Sequence, residues 1–177
     1  RRSIILDSRA DILVYGNGEK QIIEIAKRIK EGQELKGILG TCILSKDIDS
    51  SFEKLPSFPE VKADKVKVCK MQAAFSNSKN LAQEYNNNYV LQYKFPKYTQ
   101  EDLDWIYSLN FSRKLRKNSL LALAKFSVVT HRGCIGNCNF CSIALHQGDR
   151  IISRSEKSIL DEITRITKHP EFKGYID

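Results

Sequence analysis

The sequence predicts an α/β fold in three parts. Residues 1–46 read as the closing strands and helix of an open α/β domain, 47–125 as a mostly helical connecting segment, and 126–177 as the first βαβ of a further parallel unit. Three observations carry this prediction. ADILVYGNGEKQIIEIAKRIKEG has the pattern strand, tight turn, helix. FSVVTH runs into a glycine- and cysteine-rich loop and then a helix-periodic stretch. A hydrophobic content of 41% against 28% charged residues is that of a globular chain able to bury a core.

Taken in order, Ile12, Leu13 and Val14 form the short apolar run of a buried parallel strand. Gly16-Asn17-Gly18 signals a turn, Ile22, Ile25, Ala26 and Ile29 recur at helical spacing, and Gly32 is the expected stop. LKGILGTCILS is a second strand, bent at Gly40. Residues 47–59, with Pro56 and Pro59, read as loop. A helix is expected over 63–85, with Val66, Cys69, Ala73 and Leu81 among its apolar positions. YNNNY is a turn, YVLQYKF a strand ended by Pro96, and Thr99 an N-cap ahead of Leu103, Ile106 and Tyr107.

The last section is the most orderly. FSVVTH (126–131) has β-branched strand character. After the loop, Ser153 or Ser155 caps a helix whose apolar face is Ile159, Leu160, Ile163 and Ile166. His169-Pro170 breaks it, and KGYID begins the next strand. Strand, loop, helix, strand predicts parallel pairing, with the cysteines at the C-terminal end of a strand, where α/β folds place their chemistry.

Composition excludes several classes. The longest apolar candidate, LLALAKFSVV, is short and broken by Lys125, so no membrane span is expected. The N-terminus lacks the long apolar region and cleavage site of a signal peptide and does not begin with Met, which suggests a piece of a longer protein. Five cysteines, an odd number with three clustered, argue against a disulfide framework and for a reducing, cytoplasmic setting. The net charge of +8 (29 basic minus 21 acidic residues) admits an anionic partner such as nucleic acid, although the densest run, SRKLRK, reads first as a solvated basic surface.

HRGCIGNCNFC (131–141) places Cys134, Cys138 and Cys141 in C-x3-C-x2-C spacing. Three core cysteines in a Gly/Asn-rich loop are a poor explanation, because loops are seldom buried. Structural zinc wants four ligands, and His131 or His146 could complete a Cys3His module. An iron–sulfur cluster takes thiolates, and a four-iron cluster held by three of them keeps one iron open, the mark of a catalytic metal site. Cys42 and Cys69 lie in apolar-patterned segments and read as packed.

C-x3-C-x2-C with Phe140 just before the last cysteine resembles the signature of radical S-adenosylmethionine (SAM) enzymes. The wider string SVVTHRGCIGNCNFCSIALHQGDRIISRSEKSILDEI resembles the YgiQ-like (UPF0313) group of that superfamily, and SRADILVYGNGEKQIIEIAKRI resembles its N-terminal domain. Ile135 and Asn137 stand where Phe and Gly are expected, but neither position supplies a ligand. The resemblance implies a cobalamin-binding-like N-terminal domain followed by a TIM-like radical SAM barrel. It implies a 4Fe-4S cluster on Cys134, Cys138 and Cys141, with SAM chelating the fourth iron. One electron from a flavodoxin- or ferredoxin-like donor would then cleave SAM to methionine and a 5′-deoxyadenosyl radical, with Phe140 flanking the adenine. The group has no assigned substrate; RNA modification is the alternative that the positive charge suggests.

Other motifs read more plainly. Gln21 stands where a dinucleotide fingerprint needs its third glycine, so Gly16 and Gly18 are turn residues and Glu19 a first-turn acid. None of His131, His146 and His169 has a D-x-H-x-x-G context, so cobalamin binding has no support. Arg150 or Arg154 is a weak candidate for the SAM carboxylate, since capping by Ser153 or Ser155 explains much of that pattern. A complete barrel needs roughly 200 residues or more. Only a first strand, loop, helix and second strand fit after Phe126, so the expectation is a fragment that holds the ligands without completing catalysis.

Overall fold

A computed structural model describes residues 2–75, 79–116, 119–136, 138 and 140–176. Its elements in order are α1 (Ile4–Ser8), β1 (Ile12–Val14), α2 (Glu19–Glu31), β2 (Thr41–Ser45), β3 (Phe52–Lys54), α3 (Phe58–Ala63) and α4 (Lys65–Phe75). There follow β4 (Asn80–Tyr85), β5 (Asn88–Gln92), α5 (Gln100–Ser108), a 3-10 turn (Leu120–Ala124), β6 (His131–Arg132), α6 (Ile143–Gln147), β7 (Ile152–Ser153) and α7 (Glu156–Thr167). The chain divides into two compact units, Arg1–Pro96 with Cys138–Gly148, and Lys97–Asn137 with Asp149–Asp177. Among the described residues no helix is long and apolar enough to cross a membrane.

The first unit is built on a five-stranded mixed sheet in the order β1-β2-β5-β4-β3. Alternation along each strand makes its two faces. Ile43, Ala82 and Leu91 meet Phe52 and Tyr93 on one side, while Cys42 and Val90 meet Ile5 of α1 on the other. The register pairs Ile43 with Leu91 and Leu91 with Ala82, so the same face is apolar across three strands. Asn86 and Asn87, both at left-handed φ (46° and 61°), close the β4–β5 hairpin, a geometry that Asn tolerates better than most residues.

Three expectations need correction here. First, β1 pairs with β2 antiparallel at the sheet edge, not parallel in its middle. An apolar run of three residues signals a strand but carries no information about partner direction, and Val14 is in fact exposed. Second, the segment 47–125 is not mostly helical: it supplies β3, β4 and β5. The helix expected to Tyr85 ends at Phe75; Ser76, Asn77 and Ser78 lie outside the described residues, and Asn80–Tyr85 pairs along its length with β5. The 47–59 loop likewise holds β3, and Pro59 sits in the first turn of α3, where its missing N–H costs nothing.

The third correction concerns the expected βαβ unit. In the second unit β6 and β7 are two residues each and pair antiparallel, His131 with Ser153 and Arg132 with Ile152. The carbonyls just upstream are taken by one arginine instead of a neighbouring strand: Arg154 donates its backbone N–H to Thr130 (2.9 Å) and Nη1 to Val129 (2.8 Å). KGYID forms no strand over its described residues, and Gly174 has φ +93°. Three helices, α2, α5 and α7, by contrast carry end signals that the sequence announces. Thr99 and Asp102 form a capping box on α5, Ser155 rather than Ser153 caps α7, and Gly32 closes α2 in the left-handed conformation.

Candidate metal centre

The two ends of the cysteine loop are held by different devices. On the Cys134 side, within the second unit, Arg132 of β6 donates Nε and Nη2 to the Tyr107 hydroxyl (3.2 and 3.1 Å). The Tyr107 ring also carries the Arg154 guanidinium, whose carbon lies 4.3 Å from the ring centre. The Arg154 side chain is wholly buried, ion-paired to Glu162 and hydrogen-bonded to the Ser158 carbonyl (2.8 Å). Glu162 pairs with Arg113 as well, whose Nη1 reaches the Lys125 carbonyl (2.8 Å). Asp104 accepts from the Ser155 N–H (2.9 Å). Burial pushes that carboxyl up, but hydrogen bonds from Ser155 and Ser158 and the Arg154 charge together bring it below its ordinary range.

Beyond Arg132 the chain turns at Gly133 (φ +93°), and Cys134 follows, half-buried. The Gly136 N–H donates to Cys134 Sγ at 3.4 Å. Main-chain N–H groups commonly approach ligand sulfurs in metal sites in this way. In the first unit, Cys138 is exposed and Cys141 half-buried, with the Cys141 N–H on the Cys138 carbonyl (2.9 Å). Phe140 beside it is 93% exposed. Ser142 leads into α6, which ends at Gly148.

All five cysteines are free thiols. Cys134, Cys138 and Cys141 therefore have the donor chemistry an iron–sulfur cluster or zinc takes, on a loop with an N–H aimed at one sulfur. They fit as a donor set by their chemistry; among the described residues no group of three His, Cys, Asp or Glu forms a ready metal site. Asn137 and Asn139, between them, lie outside the described residues.

The remaining candidates sort by burial. Cys42 is packed in the sheet as expected, and burial pushes its thiol up to about 12. Cys69 is exposed on α4, contrary to the expectation of packing, because α4 buries only Ala74. His131 is exposed, its Nδ1 2.9 Å from Thr130 Oγ1, and His146 is exposed on α6. The Arg154 side chain is buried and engaged by Glu162, Ser158 and the Val129 carbonyl, whereas Arg150 is exposed. Leu160 faces solvent, and Glu162 takes its place on the buried face of α7 with Ile166. A charged residue three and four positions from Ile159 and Ile166 on an apolar stripe was the available signal for that buried ion pair, and sequence reasoning passed over it. Two concavities, of 440 Å³ beside Lys54, Glu60 and Lys67 and of 180 Å³ beside Asp104, Tyr107 and Arg165, have no loop cysteine in their walls.

Comparison with known proteins supplies the family. Residues 1–126 match the family described as radical SAM N-terminal. A UPF0313 protein of Fusobacterium nucleatum is 39% identical over 99% of this chain and 34% of its own length. UPF0313 proteins of Clostridium perfringens and Methanocaldococcus jannaschii are each 40% identical over 99% of the chain, covering 30% and 32% of their own lengths. The chain thus spans about a third of the length of the curated relatives it matches. Since the N-terminal match takes in well over half of it, the chain belongs to the radical SAM N-terminal family, and its likeness to UPF0313 proteins runs almost end to end.

Proposed function

We propose that this chain carries the cluster-binding loop of a radical SAM enzyme, with Cys134, Cys138 and Cys141 as the ligands of a 4Fe-4S cluster and S-adenosylmethionine as the second cofactor. The observation that carries the reading is C-x3-C-x2-C, as three free thiols, in a chain of the radical SAM N-terminal family. When bound, such a cluster with SAM on its open iron supplies one-electron cleavage of SAM to methionine and a 5′-deoxyadenosyl radical.

The chain's own residues have simpler tasks. Three thiols lose their protons and ligate. Gly136 donates its N–H to Cys134 Sγ and so helps to orient that sulfur. Arg132, held by Tyr107, fixes where the strand delivers Cys134. Phe140 offers an exposed aromatic face next to Cys141, suited to lie against an adenine. In the whole protein we read the loop as opening a TIM-like barrel, in a cytoplasmic setting, served by a flavodoxin- or ferredoxin-like electron donor. The net charge of +8 favours a second reading of the substrate, as RNA, within the same chemistry.

Anaerobic reconstitution of the full-length protein with iron and sulfide tests the reading. A brown protein with about four irons that forms 5′-deoxyadenosine from SAM is the expected outcome, with both properties lost in Cys138→Ala. A colourless protein holding a single zinc would overturn it in favour of a Cys3His module. Salt-sensitive RNA binding would support the RNA reading, and no binding at low salt would end it.

A further inference from the structure

We infer that the Gly16 turn is the seat of the segment following Cys141, which makes Gly16 a positioning residue for the cysteine loop; the inference rests on reading that loop as cluster-binding. Gly16 links β1 to α2 at φ +70°, a conformation glycine adopts without penalty. A Cβ built on it would lie 2.7 Å from the carbonyl oxygen of His146, in α6, and 2.3 Å from Cε2 of Phe95. Both distances are shorter than any side-chain carbon tolerates, so main chain and ring close on this position in a way that only glycine permits.

The ring wall is itself held. Phe95 lies 6.0 Å from the Tyr15 ring, and the Tyr15 hydroxyl donates to the Tyr93 carbonyl (2.5 Å). The other wall, α6, needs an anchor. It is five residues long and buries no side chain; Ile143 and Leu145 are both 48% exposed. Side-chain burial therefore does little to place it, and the approach of its backbone to Gly16 stands in that role. The His146 N–H bonds back to the Ser142 carbonyl (2.9 Å), one residue beyond Cys141, so a shift of His146 is passed to the ligand. Past α6, Gly148 (φ +102°) has open space around it.

The decisive comparison is Gly16→Ala against Gly32→Ala in the full-length protein. Gly32 has nearly the same backbone (φ +65°) but nothing within 4 Å of an added Cβ, so it bears the conformational penalty without the contact. In metal-free protein, amide hydrogen exchange over 142–148 should quicken by about tenfold in Gly16→Ala and stay unchanged in Gly32→Ala. After reconstitution, the electron paramagnetic resonance spectrum of the reduced cluster should lose its SAM-dependent change in Gly16→Ala alone. Loss of stability without loss of position would lower the signal but leave that change intact. Unaltered exchange in Gly16→Ala overturns the seat. Wild-type protein that binds no iron overturns the cluster reading and leaves the exchange comparison to decide the seat. If Gly16→Ala does not fold, Gly16→Ala with Phe95→Ala, read against Phe95→Ala alone, removes the ring contact and keeps the carbonyl contact. Equal exchange in those two variants would show that the ring alone demands glycine and would overturn the inference.

Discussion

The two units differ in what their cores hold besides apolar side chains. The first buries neutral, apolar surface: Ile43, Ala82 and Leu91 across three strands, closed by Phe52 and Tyr93. The second buries Leu103, Ile106 and Ile166 and adds charge: Arg154 and Glu162 are almost fully buried, Arg113 joins them, and Tyr107 is stacked against Arg154. Apolar burial is non-directional and forgives shape-conserving change, whereas a buried ion pair holds only while every partner is present. The unit that delivers Cys134 therefore rests in part on the less forgiving of the two devices.

Replacing Glu162 by Gln tests this most severely. Shape is conserved, but Arg154 and Arg113 lose the carboxylate they share in the core, at a cost of about 3–5 kcal/mol. Chemical denaturation of the protein, followed by a probe in the second unit, checks it. A loss below about 1 kcal/mol would mean that water reaches the pair and that the contrast between the units is false.

Leu91, 1% exposed, gives the counterpart. Leu91→Ala should cost about 2–5 kcal/mol, close to the loss for Glu162, because it leaves a cavity between both neighbouring strands. Leu91→Met, which conserves volume, should cost less than about 1.5 kcal/mol. The units thus differ not in how much a deletion hurts but in whether an isosteric swap rescues it. Equal losses for Leu91→Met and Glu162→Gln would break the comparison.

That difference also decides what could be read in the sequence. Apolar period and capping residues are local, so α2, α5 and α7, the caps Thr99, Ser155 and Gly32, and the cysteine spacing were all legible. Strand direction and ion-pair partners are not local. Nothing in Ile12–Val14 says that its partner runs antiparallel, and nothing within Asn80–Tyr85 announces its pairing to β5 except the Asn86-Asn87 turn that follows. The structural role of Arg154 is not legible in its sequence context, which omits Tyr107, 47 positions away, and the carbonyl of Val129. Donor residues of the candidate site were visible one by one; the contacts that hold their flanks come from chain segments far apart.

A third test works at the hydroxyl of Tyr107. Tyr107→Phe keeps the ring under Arg154 and removes the acceptor for Arg132. The expected loss is about 1–2 kcal/mol, since the guanidinium of Arg132 is half-buried and finds water as a partial replacement. Tyr107→Leu should cost more, as it also removes the cation–π contact. A larger loss for Phe than for Leu would mean that the ring contributes nothing.

Glu60 shows the smallest effect, and it is the surface counterpart of Glu162. Its carboxylate accepts the Ser57 N–H (2.8 Å) and hydroxyl (2.9 Å) at the start of α3 and pairs with Lys67 (3.1 Å), all at the surface. The Ser57 backbone bond first, then Lys67 and the Ser57 hydroxyl, hold its titration down at about 2 against an ordinary 4.5. A carboxyl lowered by folding contributes stability that is complete above its unfolded value and is lost as pH falls through the folded one. The contribution should therefore be intact at pH 5, fade below 4.5 and be gone under about 2, seen as fraying of α3 with the sheet still formed. Carboxyl chemical shifts of Glu60 read this directly. Lys67→Met should raise the midpoint only part of the way, because the largest cause is the Ser57 backbone. A full return to 4.5 in that variant would make the ion pair, not the cap, the source of the shift, and a surface charge pair would then matter here as it does for Glu162.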